Sequence, residues 1–220
     1  MKDVKACIFD LDGVIVDTAK YHYLAWRRLA EMLGFEFTEK DNERLKGVSR
    51  MRSLEILLEV GGKSASNEEM DTWARMKNEW YVEYITKMGK EEILPGVVSF
   101  LSQIREKGIK TALGSASKNA DLILDRLELK SLFDVVVDGT KVSAAKPDPE
   151  VFITGAQMLG IAPEDCVVFE DAEAGIEAAK AGNMFAVGIG DQEMLKDADV
   201  VVEGLSVLDY NKFVSLLNCK

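Results

Sequence analysis

The sequence predicts an α/β protein in which a parallel sheet is covered by helices on both faces and an all-helical segment is inserted after the first strand. Two observations predict it. Short apolar runs of strand length recur at residues 4–9, 110–113, 135–137, 166–169, 185–189 and 200–202, each bounded by Gly, Asp or Ser. Between the later runs lie segments with helical periodicity, at 97–107, 120–127, 150–159 and 174–181. Strand alternating with helix implies parallel strands joined by crossovers.

After the first strand the alternation stops. Residues 19 to about 88 read as helices at 20–33, 40–45, 51–59 and 67–87, with no strand-like run among them. The expected organisation is a discontinuous α/β core of residues 1–18 and 89–220 with a helical insert at 19–88. The chain returns to the core before Leu94-Pro95-Gly96, so two short connections join the pieces and could act as a hinge. A single rigid unit is the plainer alternative.

Composition limits the function classes. At 220 residues, with 47% hydrophobic and 30% charged, the chain can bury one sizeable core or a core plus a small insert. A formal net charge of −11 argues against nucleic acid or an anionic membrane surface as the partner. It does not exclude a small phosphorylated ligand in a local positive pocket. The apolar run at the start meets carboxylates too early for a signal peptide, and no stretch is long enough to span a bilayer. Cys7, Cys166 and Cys219 lack metal-type spacing and read as reduced core or tail residues of a cytoplasmic protein. The small size and the lack of an apolar extension point to a monomer.

Four motifs carry chemistry. Asp10-Leu11-Asp12-Gly13 closes the first strand, with Thr18 following, and two carboxylates two residues apart can converge on one ligand. Gly114-Ser115-Ala116-Ser117-Lys118-Asn119 closes another strand and opens a helix, offering backbone N–H groups and hydroxyls to a phosphate; as a lone feature it could equally be a helix cap at Ser117. Lys146-Pro147-Asp148-Pro149 places a cation just before a proline-stiffened helix start. Glu170-Asp171 ends a further strand, where Asp10, Asp171 and Glu170 could supply the oxygen ligands that Mg²⁺ prefers. Taken singly, an acidic pair at a helix start is explained by the helix dipole.

Together, in this order along an alternating sheet, these motifs resemble those of the haloacid dehalogenase superfamily of phosphotransferases. The resemblance spans the core and implies a Rossmann-like sheet with a mobile helical cap. It implies that Asp10 is the nucleophile and becomes an aspartyl phosphate. Asp12 would be the general acid and base, and its backbone carbonyl would join Asp10, Glu170 and Asp171 around one Mg²⁺ per chain. Thr18, Ser115 and Lys146 would complete the catalytic set.

Within that superfamily the insert is similar to the β-phosphoglucomutase family, through Tyr21-His22-Tyr23-Leu24-Ala25-Trp26, Leu45-Lys46-Gly47-Val48-Ser49-Arg50, Lys77-Asn78 and, in the core, Ser115 to Asn119. This implies conversion of β-D-glucose 1-phosphate to glucose 6-phosphate, with β-glucose 1,6-bisphosphate as intermediate and activator. His22, Lys46, Gly47, Arg50, Lys77, Ala116, Ser117 and Asn119 would bind the substrate, with Arg50 and Asn119 near the phosphate far from Asp10. His22, the single histidine, would couple sugar binding to cap closure with Lys77. Without the resemblance, Arg50 and Lys77 read as solvated helix charges, and Tyr23 and Trp26 as packing residues of the insert. A sugar-phosphate phosphatase and a non-catalytic phosphosugar-binding protein are the alternatives.

Overall fold

The computed structural model describes residues 4–45 and 48–218. Six strands form one sheet: β1 (Ala6–Phe9), β2 (Lys110–Gly114), β3 (Val135–Val137), β4 (Cys166–Glu170), β5 (Phe185–Ile189) and β6 (Val200–Val202). Their order is β3-β2-β1-β4-β5-β6 and every pairing is parallel. The order turns outward in both directions from β1, which creates a crevice between β1 and β4 beyond their carboxyl ends. Register then fixes what lines that crevice. Phe9 lies opposite both Leu113 and Phe169, so the residues that follow them, Asp10, Gly114 and Glu170, emerge at one level.

Strand alternation sends successive side chains to opposite faces. On one face Phe9 stacks on Phe169 with ring centroids 4.6 Å apart, and Phe100 and Phe213 meet that pair edge-on or tilted. On the other, Ala6, Ile8, Cys166 and Val168 pack with Phe152 and Ile176. Gly114 leaves room for this second core: a Cβ there would stand 2.9 Å from Phe152 and 3.3 Å from Ile8. Cys166 and Cys7 thus belong to opposite faces of neighbouring strands, each fully buried. Burial holds the Cys7 thiol well above its ordinary pKa, in line with an unreactive core residue. Cys219 lies outside the described residues.

The helices in chain order are α1 (Ala19–Met32), α2 (Glu39–Asn42), α3 (Arg50–Val60), α4 (Asn67–Ile85), α5 (Val97–Glu106), α6 (Ala120–Arg126), α7 (Glu150–Leu159), α8 (Glu173–Ala181) and α9 (Tyr210–Leu217). The chain separates into two compact units, Met1–Asp17 with Gly89–Lys220, and Thr18–Met88. The second unit is helical and has its own core of Trp26, Leu29, Leu54, Leu57 and Ala74, with Tyr23 packed against it. Three of its helices begin where side chains satisfy the first free N–H groups: Ser66 and Glu69 form a reciprocal capping box on α4, Thr38 and Asp41 do the same on α2, and Ser49 caps α3. The segment expected as one helix at 40–45 is a short α-helix followed by a 3₁₀ turn at Glu43–Leu45. Among the described residues no helix is long and apolar enough to cross a membrane.

Candidate active site

The end of β1 supplies the first carboxylate. The Asp10 amide N–H donates to the Phe169 carbonyl at 2.9 Å, continuing the sheet by one bond and fixing the backbone of Asp10 beside β4. The chain then turns tightly: Gly13 adopts φ +82°, its N–H donates to Val16 O at 2.9 Å, and a bridge joins Asp12 to Val16. Glycine is required at this turn twice over. The backbone is left-handed, and a Cβ would lie 2.0 Å from an Asp171 carboxylate oxygen. Gly175 clears the other side, because a Cβ there would fall 2.0 Å from the carboxyl carbon of Glu170.

Asp10, Glu170 and Asp171 each offer an oxygen, and these oxygens all lie within 4.8 Å of one another. One ammonium faces them. Lys146 Nζ donates to Asp10 Oδ1 at 2.5 Å and to Glu170 Oε2 at 2.8 Å, with all three side chains at least nine-tenths buried. Burial disfavours the Lys146 charge, but the charges of Asp10 and then Glu170 outweigh it and hold the ammonium above the ordinary lysine value. Glu170 is pushed the opposite way to a paired carboxylate: burial, reinforced by Asp10, raises it well above its usual range despite Lys146. Three carboxylates thus share one end of the sheet with the Lys146 ammonium. An all-oxygen cluster of carboxylates fits a hard divalent cation.

The second wall is the turn after β2. Ser115 is fully buried, its N–H donates to Val137 O at 2.9 Å, and its Oγ accepts from the Ser117 N–H at 3.1 Å. Ser117 Oγ in turn accepts from the Asn119 N–H at 3.2 Å. The alternative reading of this motif as a helix cap at Ser117 does not hold: the N-cap of α6 is Asn119, whose side chain makes no capping bond, and the two serine hydroxyls order the turn ahead of the helix. The loop after β3 supports this turn from outside: Gly139 N–H donates to Ser117 O at 3.2 Å, and a Cβ on Gly139 would sit 2.3 Å from the exposed Ala116's carbonyl oxygen.

The helical unit holds a separate polar cluster. Lys77, almost fully buried on α4, lies 2.8 Å from His22 Nδ1, with its ammonium 4.5 Å from the Trp26 ring centroid and 4.8 Å from that of Tyr81. His22 stacks on Tyr81 at 4.1 Å. Burial, then the neighbouring charges of Lys77 and Arg50, hold the imidazole well below its ordinary pKa. It is neutral at pH 7, and Nδ1 accepts from the lysine. Arg50 is half-buried at the start of α3 and donates from Nη2 to Asn78 Oδ1 at 2.8 Å. Thr18 is fully buried and precedes α1 without capping it through its side chain.

Of the residues singled out in the sequence, Asp10, Lys146, Glu170 and Asp171 form one cluster at the switch point, and Ser115, Ser117 and Asn119 form the adjoining turn. Asp12 is half-buried in the turn after β1, and its side chain is not part of the three-carboxylate cluster. His22, Lys77 and Arg50 form the cluster of the helical unit. Lys46 and Gly47 lie outside the described residues. Sequence reading passed over Asn78 as a site residue, although it stands next to Lys77, and over Tyr81, Gly139 and Glu150. Asn78 and Tyr81 carry a weak signal, one residue and four residues beyond Lys77 on a helix; the other two become visible only once the loop after β3 is folded.

A family model described as haloacid dehalogenase-like hydrolase matches residues 4–183. β-Phosphoglucomutase of Bacillus subtilis is 46% identical over 207 residues, covering 93% of this chain and 92% of its own. A phosphatase of phosphorylated carbohydrates from Thermotoga maritima is 34% identical over 206 residues, covering 93% of both chains. The crystal structure of β-phosphoglucomutase from Clostridium difficile superposes with a TM-score of 0.93 at 45% identity, covering 98% of this chain and 97% of that one. With the match extending from the first strand through the Glu170-Asp171 strand end and the helix behind it, the chain belongs to the haloacid dehalogenase-like hydrolase family.

Proposed function

We propose that this protein is a cytoplasmic, monomeric sugar-phosphate mutase that interconverts β-D-glucose 1-phosphate and glucose 6-phosphate. The reading rests on one observation above the others: a buried ammonium, Lys146, bridges Asp10 and Glu170 at the switch point of the sheet, next to Asp171. A carboxylate presented this way can attack phosphorus, because the opposing negative charges are offset and the reacting groups are held in place. The two similar β-phosphoglucomutases support the choice of mutase.

Asp10, carrying a phosphoryl group, would give it to the C6 hydroxyl of β-glucose 1-phosphate as Asp12 removes the hydroxyl proton, forming β-glucose 1,6-bisphosphate. After the bisphosphate turns end for end, an Asp10 oxygen would bond to the C1 phosphorus while the bond from that phosphorus to the sugar oxygen breaks. Asp12 would return its proton to that oxygen, releasing glucose 6-phosphate and regenerating the aspartyl phosphate. Ser115, Lys146 and Thr18 would hold the transferring group. Mg²⁺ held by Asp10, Glu170, Asp171 and the Asp12 carbonyl would offset phosphate charge when bound. Arg50, oriented by Asn78, with Lys77, Asn119 and the Ser117 and Ala116 turn would take the other phosphate and the sugar, joined by Lys46 and Gly47, with His22 coupling binding to movement of the helical unit. An Arg fork suits a phosphate that must be released and regrasped.

The second reading is a sugar-phosphate phosphatase, favoured by the similar Thermotoga protein. A product assay separates the two. With β-glucose 1-phosphate, Mg²⁺ and a trace of bisphosphate, the mutase yields glucose 6-phosphate with little inorganic phosphate. Release of free phosphate in step with substrate loss would establish the phosphatase, and ligand binding with neither product would leave only a binding protein.

A further inference from the structure

We propose that Glu150, which makes no contact with Asp10, is a positioning residue that presents Lys146 to the carboxylate cluster. The inference rests on the reading of Lys146 as a working cation in phosphoryl transfer. Lys146 lies on the long connection between β3 and α7, in a stretch where Pro147 and Pro149 have no N–H to donate and no regular structure ties the backbone down. A side chain that must place one ammonium within bonding distance of two acids needs a backbone fixed by something else.

Glu150 supplies it. As the first residue of α7 its carboxylate reaches back along the chain, and its Oε2 accepts from the Ser143 N–H at 2.8 Å and the Ala144 N–H at 2.6 Å. The Ser143 hydroxyl adds contacts of 3.0 and 3.2 Å to its two oxygens. The segment from 143 to 150 is thereby closed into a ring through a side chain, with Lys146 near its middle. Two further bonds tighten the ring, one between backbone groups and one to a side chain: Asp148 N–H donates to Ala145 O at 3.0 Å, and Glu150 N–H donates to Asp148 Oδ1 at 2.9 Å.

Both ends of this ring are anchored. Upstream, buried Asp138 accepts from the Thr140 N–H at 2.9 Å and its carbonyl accepts from the Lys141 N–H at 3.0 Å, while Val142 packs into the sheet core. Downstream, Val151 and Phe152 follow Glu150 directly and are core residues, so the carboxylate is attached to a helix that cannot drift. Backbone donors at Ala144 and Ser143 hold the Glu150 carboxyl below its ordinary pKa, which keeps it an acceptor throughout the neutral range. Ser143 and Ala144 thus spend their N–H groups on one charged acceptor rather than on water.

The test pairs two measurements on the full chain with Glu150→Ala, Glu150→Gln, Lys146→Ala and the double variant Lys146→Ala/Glu150→Ala. In amide hydrogen exchange, Glu150→Ala accelerates Ser143 and Ala144 while leaving β1 and β4 protected. In the rate at which acetyl phosphate and Mg²⁺ phosphorylate the protein, Glu150→Ala is slower by about 10-fold, the scale of lost outer-shell support. Glu150→Gln, which keeps an acceptor oxygen, recovers part of both effects and serves as the test variant should the alanine variant not fold. The double variant is no slower than Lys146→Ala alone, a non-additivity that a merely structural role would not produce. Independent, multiplying losses in the double variant would overturn the proposal, as would unchanged exchange at Ser143 and Ala144. Failure of the parent protein to accept phosphate would instead defeat the functional reading, and the exchange result would still decide whether Glu150 holds the segment.

Discussion

At the scale of single residues, Asp10 and Gly13 do different work within one turn. Replacing Asp10 by Asn keeps the shape and the Glu170 partner of Lys146 but removes the nucleophile. Turnover and phosphorylation by acetyl phosphate are therefore expected to vanish while the thermal midpoint in Mg²⁺-free buffer is retained; activity at even a hundredth of the parent rate would contradict the nucleophile assignment. Gly13→Ala acts through space, since its Cβ would lie 2.0 Å from Asp171 Oδ2 in a left-handed backbone. Calorimetric Mg²⁺ titration is expected to show at least a 10-fold weaker dissociation constant, on the scale of displaced ligand support, and an unchanged constant would remove Asp171 from the cation site. These residues were legible in the sequence because carboxylates and glycine stand out sharply at the end of an apolar strand. Asn78 and Glu150 were not, since an amide or a glutamate on a helix looks like solvated surface until its partner, a guanidinium in one case and two backbone N–H groups in the other, is placed beside it.

Among elements, legibility followed pattern length. All six strands were foreseeable, because short β-branched and apolar runs such as Val135–Val137 and Val200–Val202 stand between polar connections. The site levels follow from register alone, which no single run reveals. Helix α9 escaped notice although Asp209 accepts from the Lys212 N–H as an N-cap, and Phe213 and Leu217 make an i, i+4 buried pair. Eight residues give little more than two turns of periodicity, and the helix is needed only because Phe213 covers the Phe9, Phe100 and Phe169 face. On α4 the signal was complete, since Ser66 and Glu69 satisfy donors reciprocally ahead of a long amphipathic run. Ser66→Ala should lower the stability of the helical unit by about 0.5–2 kcal/mol in urea unfolding followed by probes on that unit. No measurable change there would mean that the cap is idle and that packing alone starts α4.

For the whole molecule, two units with separate cores carry different ionisable groups, carboxylates in one and a buried imidazole in the other, and so respond to different conditions. The core unit gathers three carboxylate oxygens, so Mg²⁺ bound there should stabilise it by mass action, by about 2.7 kcal/mol at one hundred times the dissociation constant. Amide exchange is expected to slow in β1 and β4 and to stay the same in α3 and α4. In the helical unit a neutral imidazole lies under the charges of Lys77 and Arg50. A histidine whose folded pKa lies below its unfolded value of about 6.5 takes up its proton first in the unfolded chain. Stability is then complete above about pH 6.5 and is lost progressively as pH falls from there towards the depressed folded value. Exchange in α1 and α4 should accordingly quicken between about pH 6.5 and 5 before β1 and β4 respond. Substituting His22→Gln, which cannot be protonated, should flatten that slope in the helical unit and leave the core's acid response as it was. If the slope in α1 and α4 persisted unchanged in His22→Gln, the neutral imidazole held beside Lys77 would not be what makes this unit sensitive to acid.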